Sequence, residues 1–184
     1  MHENLVVSGD SQIGRAIMNR INAAGTTRRL VDDPTRDPSL AYFDLRSNAY
    51  LPEAKITYFC SGINGFVNCE QNANEAHAVN VAGTVRAAIG QVQRGGKVVL
   101  LSSCAAETHL GTIYGDFKFL TEQRFLDKFG DQASVFRFGP AKFPGRKTYP
   151  NGDFQPIEIS DLVDALTAPF IPGLHRILSA DKWE

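Results

Sequence analysis

Short apolar runs along the chain alternate with longer segments whose apolar residues recur at helical spacing. This alternation is typical of βαβ units, in which a helix connects two parallel strands. The apolar runs predict strands at 5–7, 26–31, 41–43, 56–60, 97–101, 134–138 and 177–178. The segments of helical period predict helices at 13–24, 70–93, 114–129 and 159–168. We therefore expect an α/β protein with a doubly wound parallel sheet in three α/β/α layers.

The helices show their ends and buried faces in the pattern. Ile13, Ile17 and Ile21 recur every four residues, and Gly25 is placed to end that helix. In the segment 70–93, the expected buried face consists of Val79, Val81, Val85, Ala88, Ile89 and Val92. Residues 141–156 are rich in Gly, Pro, Lys and Arg and predict a long loop beside a site. Nothing else resembles a linker, so residues 1–184 are predicted to form a single domain.

Composition narrows the class of protein. The chain of 184 residues carries a formal net charge of −1 and contains no long apolar run, which argues against nucleic acid and membrane partners. Its start lacks the features of a signal peptide. Cys60, Cys69 and Cys104 are an odd set without paired spacing and predict reduced thiols in a cytoplasmic protein. The histidines are scattered, so no metal site is expected.

The segment from Ser8 to Gly14 follows the first strand and opens a helix. A dinucleotide pyrophosphate binds in this setting, because the helix N-terminus offers free N–H groups and small residues allow close approach. This context predicts a Rossmann domain, although Ser8 and Gln12 stand where the looser T-G-x-x-x-G-I-G turn has glycine. An ordinary turn, capped by Asp10 or Ser11, is the alternative interpretation.

Charged residues follow the second predicted strand. Asp32 and Asp33 come about 20 residues after the glycine turn, where an acid binds the adenosine ribose and favours NAD. Arg28, Arg29 and Arg36 lie nearby and are suited to a 2′-phosphate, which favours NADP. The cofactor is therefore predicted to be NAD or NADP, with the choice left open.

Tyr114 and Lys118 are four residues apart on one predicted helix face. The preceding buried strand ends in Ser102 and Ser103, and ligands bind at the carboxyl ends of parallel strands. A free tyrosine is a poor base at neutral pH, but a neighbouring ammonium favours its phenolate. The phenol is then suited to exchange a proton with a substrate oxygen that Ser103 holds. Ser102 or Cys104 takes this place if the strand ends one residue earlier or later.

These motifs resemble, in order, those of the short-chain dehydrogenase/reductase superfamily, with a late segment at 156–165 similar to the epimerase/dehydratase branch. The resemblance implies that Asp44 and Leu45 contact adenine, that Cys60, Ser61 and Gly62 pack on a ribose, and that Asn80 supports the catalytic residues. It also implies that the turn after Arg137 touches the nicotinamide. The implied catalytic set is Ser103, Tyr114, Lys118 and Asn80. The implied cofactor-binding set is Ser8, Gly9, Asp10, Ser11, Gln12, Ile13, Gly14, Asp32, Asp44, Leu45, Cys60, Ser61, Gly62, Tyr114, Lys118, Phe138, Gly139 and Pro140.

The sequence thus favours an NAD(P)-dependent oxidoreductase or epimerase/dehydratase-like enzyme, acting on a small carbonyl, alcohol or sugar-like substrate. The chain is shorter than members of the epimerase branch, so we expect a reduced C-terminal substrate region. Residues 107–112 and 141–156 are expected to be substrate loops. A non-catalytic NAD(P)-binding regulatory or redox-sensing module is one alternative, and a Rossmann-like protein without cofactor is another. A homodimer is suggested by Phe117, Phe119, Phe125 and Phe129, which core packing explains equally well.

Overall fold

The computed structural model describes residues 1–142, 156–179 and 182–183. Within them, eight strands form one sheet in the order β10-β9-β6-β5-β4-β1-β2-β3. All neighbouring pairs are parallel except β9 with β10. The strands are β1 His2–Val7, β2 Ala24–Thr27, β3 Ala41–Tyr42, β4 Ala54–Phe59, β5 Lys97–Leu101, β6 Ala133–Phe138, β9 Gly173–Ser179 and β10 Lys182–Trp183. Two further short strands, β7 Ala141–Lys142 and β8 Ile157–Glu158, pair with each other.

Helices cover both faces of the sheet. They are α1 Gln12–Ile21, α2 Phe66–Gln71, α3 Ala73–Ala76, α4 Thr84–Val92, α5 Ala105–Thr108, α6 Ile113–Phe129 and α7 Ile159–Thr167. A π-helical segment, His77–Gly83, joins α3 to α4, and a 3-10 turn, Gly130–Gln132, follows α6. None of the helices within the described ranges is long and apolar enough to cross a membrane.

Alternate residues of the strands pack into two separate cores, one on each face of the sheet, which confirms the three-layer arrangement. Val98 and Leu100 of β5 pack with Phe125 and Phe129 of α6 on one face. Val99 and Leu101 pack on the other face, where α1 contributes Ile17 and α7 contributes Leu162, Val163 and Leu166. The period-two alternation of a strand puts successive side chains on opposite faces, so a continuous apolar strand such as β5 needs helices on both.

The end predicted for the first helix was wrong. Asn22, with φ 48°, caps α1, and Gly25 lies inside β2. A Cβ at Gly25 would lie 2.5 Å from the Met18 sulfur, so close packing explains this glycine. Because β2 begins earlier than predicted and ends at Thr27, Arg28 and Arg29 follow the strand instead of belonging to it.

The helix predicted at 70–93 is interrupted. It begins earlier, as α2, and breaks at Asn72, whose φ of −129° leaves the helical region. The π-helical segment His77–Gly83 then precedes α4. Part of the loop predicted at 107–112 is helical, since α5 extends to Thr108. The segment predicted as a loop at 141–156 starts with strand β7 and is followed by β8, which pairs with β7. Residues 143–155 lie outside the described part of the chain.

Candidate functional site

The residues singled out from the sequence follow strands β1 to β6. These strands are mutually parallel, so their carboxyl ends form one edge of the sheet. The glycine turn follows β1, Asp44 follows β3, Cys60 follows β4, Ser103 follows β5, and Gly139 follows β6. An open parallel sheet binds ligands along this edge, and the topology therefore gathers the candidate residues there.

The turn after β1 is tightly built. Ser8 has φ 64°, and its carbonyl accepts hydrogen bonds from Ser11 N at 3.1 Å and Ser11 Oγ at 2.8 Å. Ser11 is the N-cap of α1, where its Oγ accepts from Gly14 N at 3.0 Å. A Cβ at Gly14 would lie 2.3 Å from the Ser8 carbonyl oxygen, so the helix start packs directly on the turn. Of the two predicted caps, Ser11 is therefore the one used. Gln12 is exposed and Ile13 is half-buried.

Asp10 points from this turn toward β2. Its Oδ2 accepts from Thr27 Oγ1 at 2.9 Å and from Arg29 Nε at 3.1 Å. A carboxylate in a phosphate-binding turn repels anions, and the Arg29 guanidinium offsets that charge here. The acid is thus compatible with the turn because a cation from the next strand end pairs with it.

An open cleft of about 720 Å³ lies beside Asp10. It is lined by Asp10, Arg28, Arg29, Leu30, Asp32, Asp33, Tyr42, Asp44 and Arg46. Asp32 is exposed here, and Tyr42 offers a half-exposed ring. Arg29 also pairs with Asp33 at 3.7 Å, whereas Arg28 has no ion-pair partner among the described residues.

Asp44 is held by a neighbour that the sequence analysis did not consider. Arg46 donates to both of its carboxylate oxygens, and these hydrogen bonds lower the pKa of Asp44. The Leu45 side chain is buried in the core, and its carbonyl accepts from Arg86. Only the backbone of Leu45 is therefore left to contact a ligand.

Asn80 lies under the loop that follows β4. Its Oδ1 accepts from Ile63 N at 2.7 Å, and its Nδ2 donates to Ile63 O at 2.9 Å. A Cβ at Gly62 would lie 3.1 Å from the same Oδ1. Asn80 therefore fixes the loop carrying Cys60, Ser61 and Gly62. Burial raises the pKa of the Cys60 thiol, while the charge of Lys118 opposes that shift.

Tyr114 and Lys118 lie in the first turns of α6. Thr112 caps this helix by accepting from Gly115 N at 3.1 Å. Lys118 Nζ lies 5.8 Å from the centre of the Tyr114 ring and donates to Leu101 O at 3.4 Å. The ammonium thus contacts the end of β5 and lies near the Tyr114 ring, and its charge acts on the Cys60 thiol.

The three residues considered for the third catalytic position differ in exposure. Ser102 is buried and its Oγ donates to Glu122 Oε1. Cys104 is buried, and burial raises the pKa of its thiol to about 11. Ser103 is half-buried, and its Oγ accepts from Ala105 N at 3.2 Å, which leaves its hydroxyl proton free to donate.

One aromatic residue missed by the sequence analysis contacts Tyr114. The Phe66 ring meets the Tyr114 ring edge-on with centroids 5.3 Å apart, and meets the His109 ring at 4.9 Å. Phe66 comes from α2, and no spacing in the sequence connects it with Tyr114. Among the phenylalanines considered for a dimer, Phe125 and Phe129 are core residues, whereas Phe119 is 38% exposed.

No protein-family model and no curated protein matches the sequence. Solved structures do match. A hypothetical dTDP-4-dehydrorhamnose reductase from Sulfolobus tokodaii is 12% identical, with a TM-score of 0.79 over 99% of this chain and 77% of that one. MoeE5 in complex with UDP-glucose and NAD is 19% identical, with a TM-score of 0.73 over 95% and 75% of the two chains. dTDP-4-dehydrorhamnose reductase from Bacillus anthracis in complex with NADP is 15% identical, with a TM-score of 0.68 over 97% and 75%.

The chain has the Rossmann-like fold of these proteins. This confirms the fold class predicted from the alternation of strands and helices.

Several features fit a dinucleotide at the edge of this Rossmann sheet. Gly9 and Gly14 leave a turn in which added Cβ atoms would clash, and the N-terminus of α1 presents N–H groups to an anion. Ser61 Oγ is buried and has no hydrogen-bond partner within the described chain. At the far end, Phe138 and Gly139 are half-buried, and the carbonyl of Pro140 accepts from Ile157 N at 2.9 Å. Among the described residues, no three His, Cys, Asp or Glu side chains are grouped to hold a metal.

Proposed function

We propose that the protein is an NAD(P)-dependent oxidoreductase, or an epimerase/dehydratase-like enzyme, of the short-chain dehydrogenase/reductase type. Its substrate is a small carbonyl, alcohol or sugar-like compound. The observation that carries the proposal is that the Lys118 ammonium lies 5.8 Å from the centre of the Tyr114 ring and donates to the carbonyl of Leu101, two residues before Ser103. The solved structures of the same fold that bind UDP-glucose with NAD, or NADP, support this choice of cofactor and substrate class.

NAD(P) would be held by the turn Ser8 to Gly14, which suits its phosphates, and by the cleft around Asp32 and Asp44, which suits its adenosine. Cys60 to Gly62 and Phe138 to Pro140 would hold its nicotinamide end. When bound, it supplies or accepts a hydride.

The residues of the chain itself move the proton. In the reductive direction, the Tyr114 hydroxyl donates its proton to the substrate oxygen, and the Ser103 hydroxyl donates a hydrogen bond to the same oxygen. The Lys118 ammonium, whose Nζ lies 5.8 Å from the centre of the Tyr114 ring, offsets the negative charge that the phenol acquires when its proton leaves. In the oxidative direction, the phenolate accepts the proton of the substrate hydroxyl.

The deciding experiment compares Tyr114→Phe with the wild type on a panel of aldehydes, ketones and keto-sugar nucleotides with NADH and NADPH. We expect kcat to fall by about 10² to 10⁴, the range that proton transfer contributes. Cofactor affinity, followed by NADPH fluorescence, should stay within about twofold of the wild type, since the phenol is replaced by a ring of the same shape. Tyr50→Phe is the control, because Tyr50 is 81% exposed. Turnover that survives in Tyr114→Phe contradicts the mechanism.

The second candidate, a non-catalytic NAD(P)-binding regulatory or redox-sensing module, is favoured by one observation. Ser8 and Asp10 make the turn after β1 more crowded and more acidic than a glycine-rich one. Such a module binds NADPH or NADH without consuming it on any member of the panel.

We also propose a homodimer through the face that carries Phe119, and sedimentation velocity measures it.

A further inference from the structure

A buried polar cluster lies behind the candidate catalytic residues. Its centre is Glu122 of α6, which is fully buried and accepts from Arg137 Nε at 2.9 Å and from Arg137 Nη2 at 2.6 Å. Arg137, 6% exposed, also donates to Glu107 at 3.3 Å, and Arg176 donates to Glu107 at 2.8 Å. The hydrogen bonds to Glu122 raise the pKa of Arg137. The cluster thus joins β6 and β9 to α5 and α6.

A buried ion pair contributes little net stability compared with apolar residues of similar size, because desolvation offsets the attraction. Its main effect is geometric, since every charged hydrogen bond must be satisfied in one arrangement. Glu122 has one further partner, the hydroxyl of Ser102, which is 2% exposed and donates to Oε1. This hydrogen bond connects the cluster to the exit of β5.

The stripe of α6 that faces this exit has a regular order. Tyr114, Lys118 and Glu122 recur every four residues, so they lie on one side of the helix. Lys118 donates to the carbonyl of Leu101, and Glu122 accepts from the hydroxyl of Ser102. The next residue of the chain is Ser103. Two consecutive residues of the strand exit are therefore fixed to α6 immediately before the serine that meets the substrate oxygen.

We propose that Ser102 and Glu122 are positioning residues that set Ser103 against Tyr114, an inference that rests on the proposed function. The hydroxyl of Ser102 has no part in proton transfer, because it is buried and its proton is committed to Glu122. Its role is to fix the peptide from which the Ser103 side chain emerges. Arg137 holds the Glu122 carboxylate in the orientation that accepts from Ser102.

The first test is a double-mutant cycle. Ser102→Ala should lower kcat by about 10- to 100-fold, the scale of a misplaced catalytic group, with NADPH affinity unchanged. In a Ser103→Ala background, Ser102→Ala should have no further effect, because residues that act through one another are not additive. A merely structural role lowers the melting temperature equally in both backgrounds. Unchanged kcat in Ser102→Ala, or additive losses in the double variant, overturns the proposal.

Ser134→Ala provides a matched control. Ser134 is also a buried serine near the sheet, 1% exposed, but its Oγ has no hydrogen-bond partner among the described residues. The Ser134→Ala substitution therefore removes a buried hydroxyl that has no contact with the cluster, and we expect kcat within about twofold of the wild type.

A second measurement needs no turnover, so it separates this proposal from the proposed function. Amide hydrogen exchange should accelerate about tenfold in Ser102→Ala over residues 102–108, with exchange in β1 and β4 unchanged. The same measurement on Ser134→Ala should leave residues 102–108 at the wild-type rate. Exchange that is unchanged there in Ser102→Ala overturns the positioning role even if no substrate has been found. Loss of the proposed function alone shows as cofactor binding without turnover, with the exchange result intact.

Discussion

Ser8 adopts a backbone conformation that favours glycine. Its φ of 64° lies in the left-handed region, and its Oγ has no hydrogen bond in the described structure. A side chain in this region is destabilising relative to glycine, so we expect Ser8→Gly to raise the free energy of unfolding by about 0.5–1 kcal/mol. Urea denaturation measures the change. Ser8→Ala is the control and should gain nothing, because alanine keeps the Cβ. Equal stability of the glycine and alanine variants would contradict the strain.

Arg28 decides between the two cofactors in our interpretation. It lines the cleft with Asp32, and within the described chain it lacks an ion-pair partner, whereas Arg29 is paired with Asp10. The charge of Arg28 helps to lower the pKa of Asp44, another residue of the cleft, but its N–H groups form no hydrogen bond within the described chain, which suits them to a 2′-phosphate. We expect Arg28→Ala to weaken NADPH binding about tenfold and to leave NADH binding within about twofold, since only NADPH carries that phosphate. Fluorescence titration with both cofactors measures the change.

The matched control for Arg28 is Arg20→Ala. Arg20 is an exposed arginine of α1 that pairs with Asp164 on α7, away from the cleft. Arg20→Ala removes the same charge without removing a residue of the cleft. The affinities for NADH and NADPH should therefore both stay as in the wild type. Equal weakening of NADH and NADPH in Arg28→Ala would show that Arg28 acts on the shared part of the cofactor.

Single residues were predictable where the chemistry depends on local spacing. Tyr114 and Lys118 are four residues apart, and the helix does place them together. The partners of Asp10 and Asp44 were not predictable, because Arg29 and Arg46 reach them only through the arrangement of strand ends. Phe66 was missed for the same reason. Glu122 had a signal, since it continues the four-residue spacing of Tyr114 and Lys118.

At the scale of the elements, the segment around Asn80 shows why a short motif has its spacing. Asn80 fixes the loop after β4, and Thr84 Oγ1 donates to Val79 O at 2.9 Å within the π-helical turn. Gly83 lies between them, and a Cβ there would lie 2.2 Å from the carbonyl oxygen of Leu45. The glycine therefore lets the helix lie directly on the loop after β3.

Gly83→Ala should therefore destabilise the protein by about 1–3 kcal/mol, the usual cost of overpacking, and weaken cofactor binding through the displaced Asp44 loop. Thermal denaturation and NADPH titration measure the two effects. Gly90→Ala in α4, the helix that follows directly, is the control, because the nearest neighbours of its Cβ would be 3.8 Å away. Alanine favours a helix over glycine, so this control should gain up to about 1 kcal/mol. Similar effects from the two substitutions would contradict the packing explanation.

Elements were predictable where one pattern ran without interruption. Strand β5 has the predicted bounds, and α6 ends at Phe129 before Gly130, as predicted. The π-helical segment was not predictable, since its contacts come from elsewhere in the chain, such as Thr121 Oγ1 of α6 donating to Asn80 O at 2.9 Å. The break at Asn72 has no signal in the apolar pattern. Gly25 was read as a helix end because close packing and a positive φ call for the same residue type.

At the scale of the whole molecule, burial raises the pKa of several side chains that lose a proton at high pH. Burial raises the pKa of Tyr58 from 10.0 to about 12 and that of Cys104 from 9.0 to about 11. The thiol of Cys60 is shifted in the same direction. These acids hold their protons longer in the folded state than in the unfolded chain. Their contribution to stability is therefore complete below about pH 9 and is lost as the pH rises toward 11 and 12.

We therefore expect the free energy of unfolding to fall between pH 8 and pH 11, and Tyr58 accounts for about 1 kcal/mol of that fall. Tyr58→Phe keeps the ring in the core and removes the titrating hydroxyl, so its stability should depend less steeply on pH by that amount. Urea denaturation at pH 8, 9, 10 and 11 under reducing conditions measures both curves. Tyr42→Phe is the control, because Tyr42 is 48% exposed and lies on the edge strand β3, outside both cores. Parallel curves for the wild type and Tyr58→Phe would show that the phenol of Tyr58 titrates alike in the folded and the unfolded protein. That result would contradict its burial in the core.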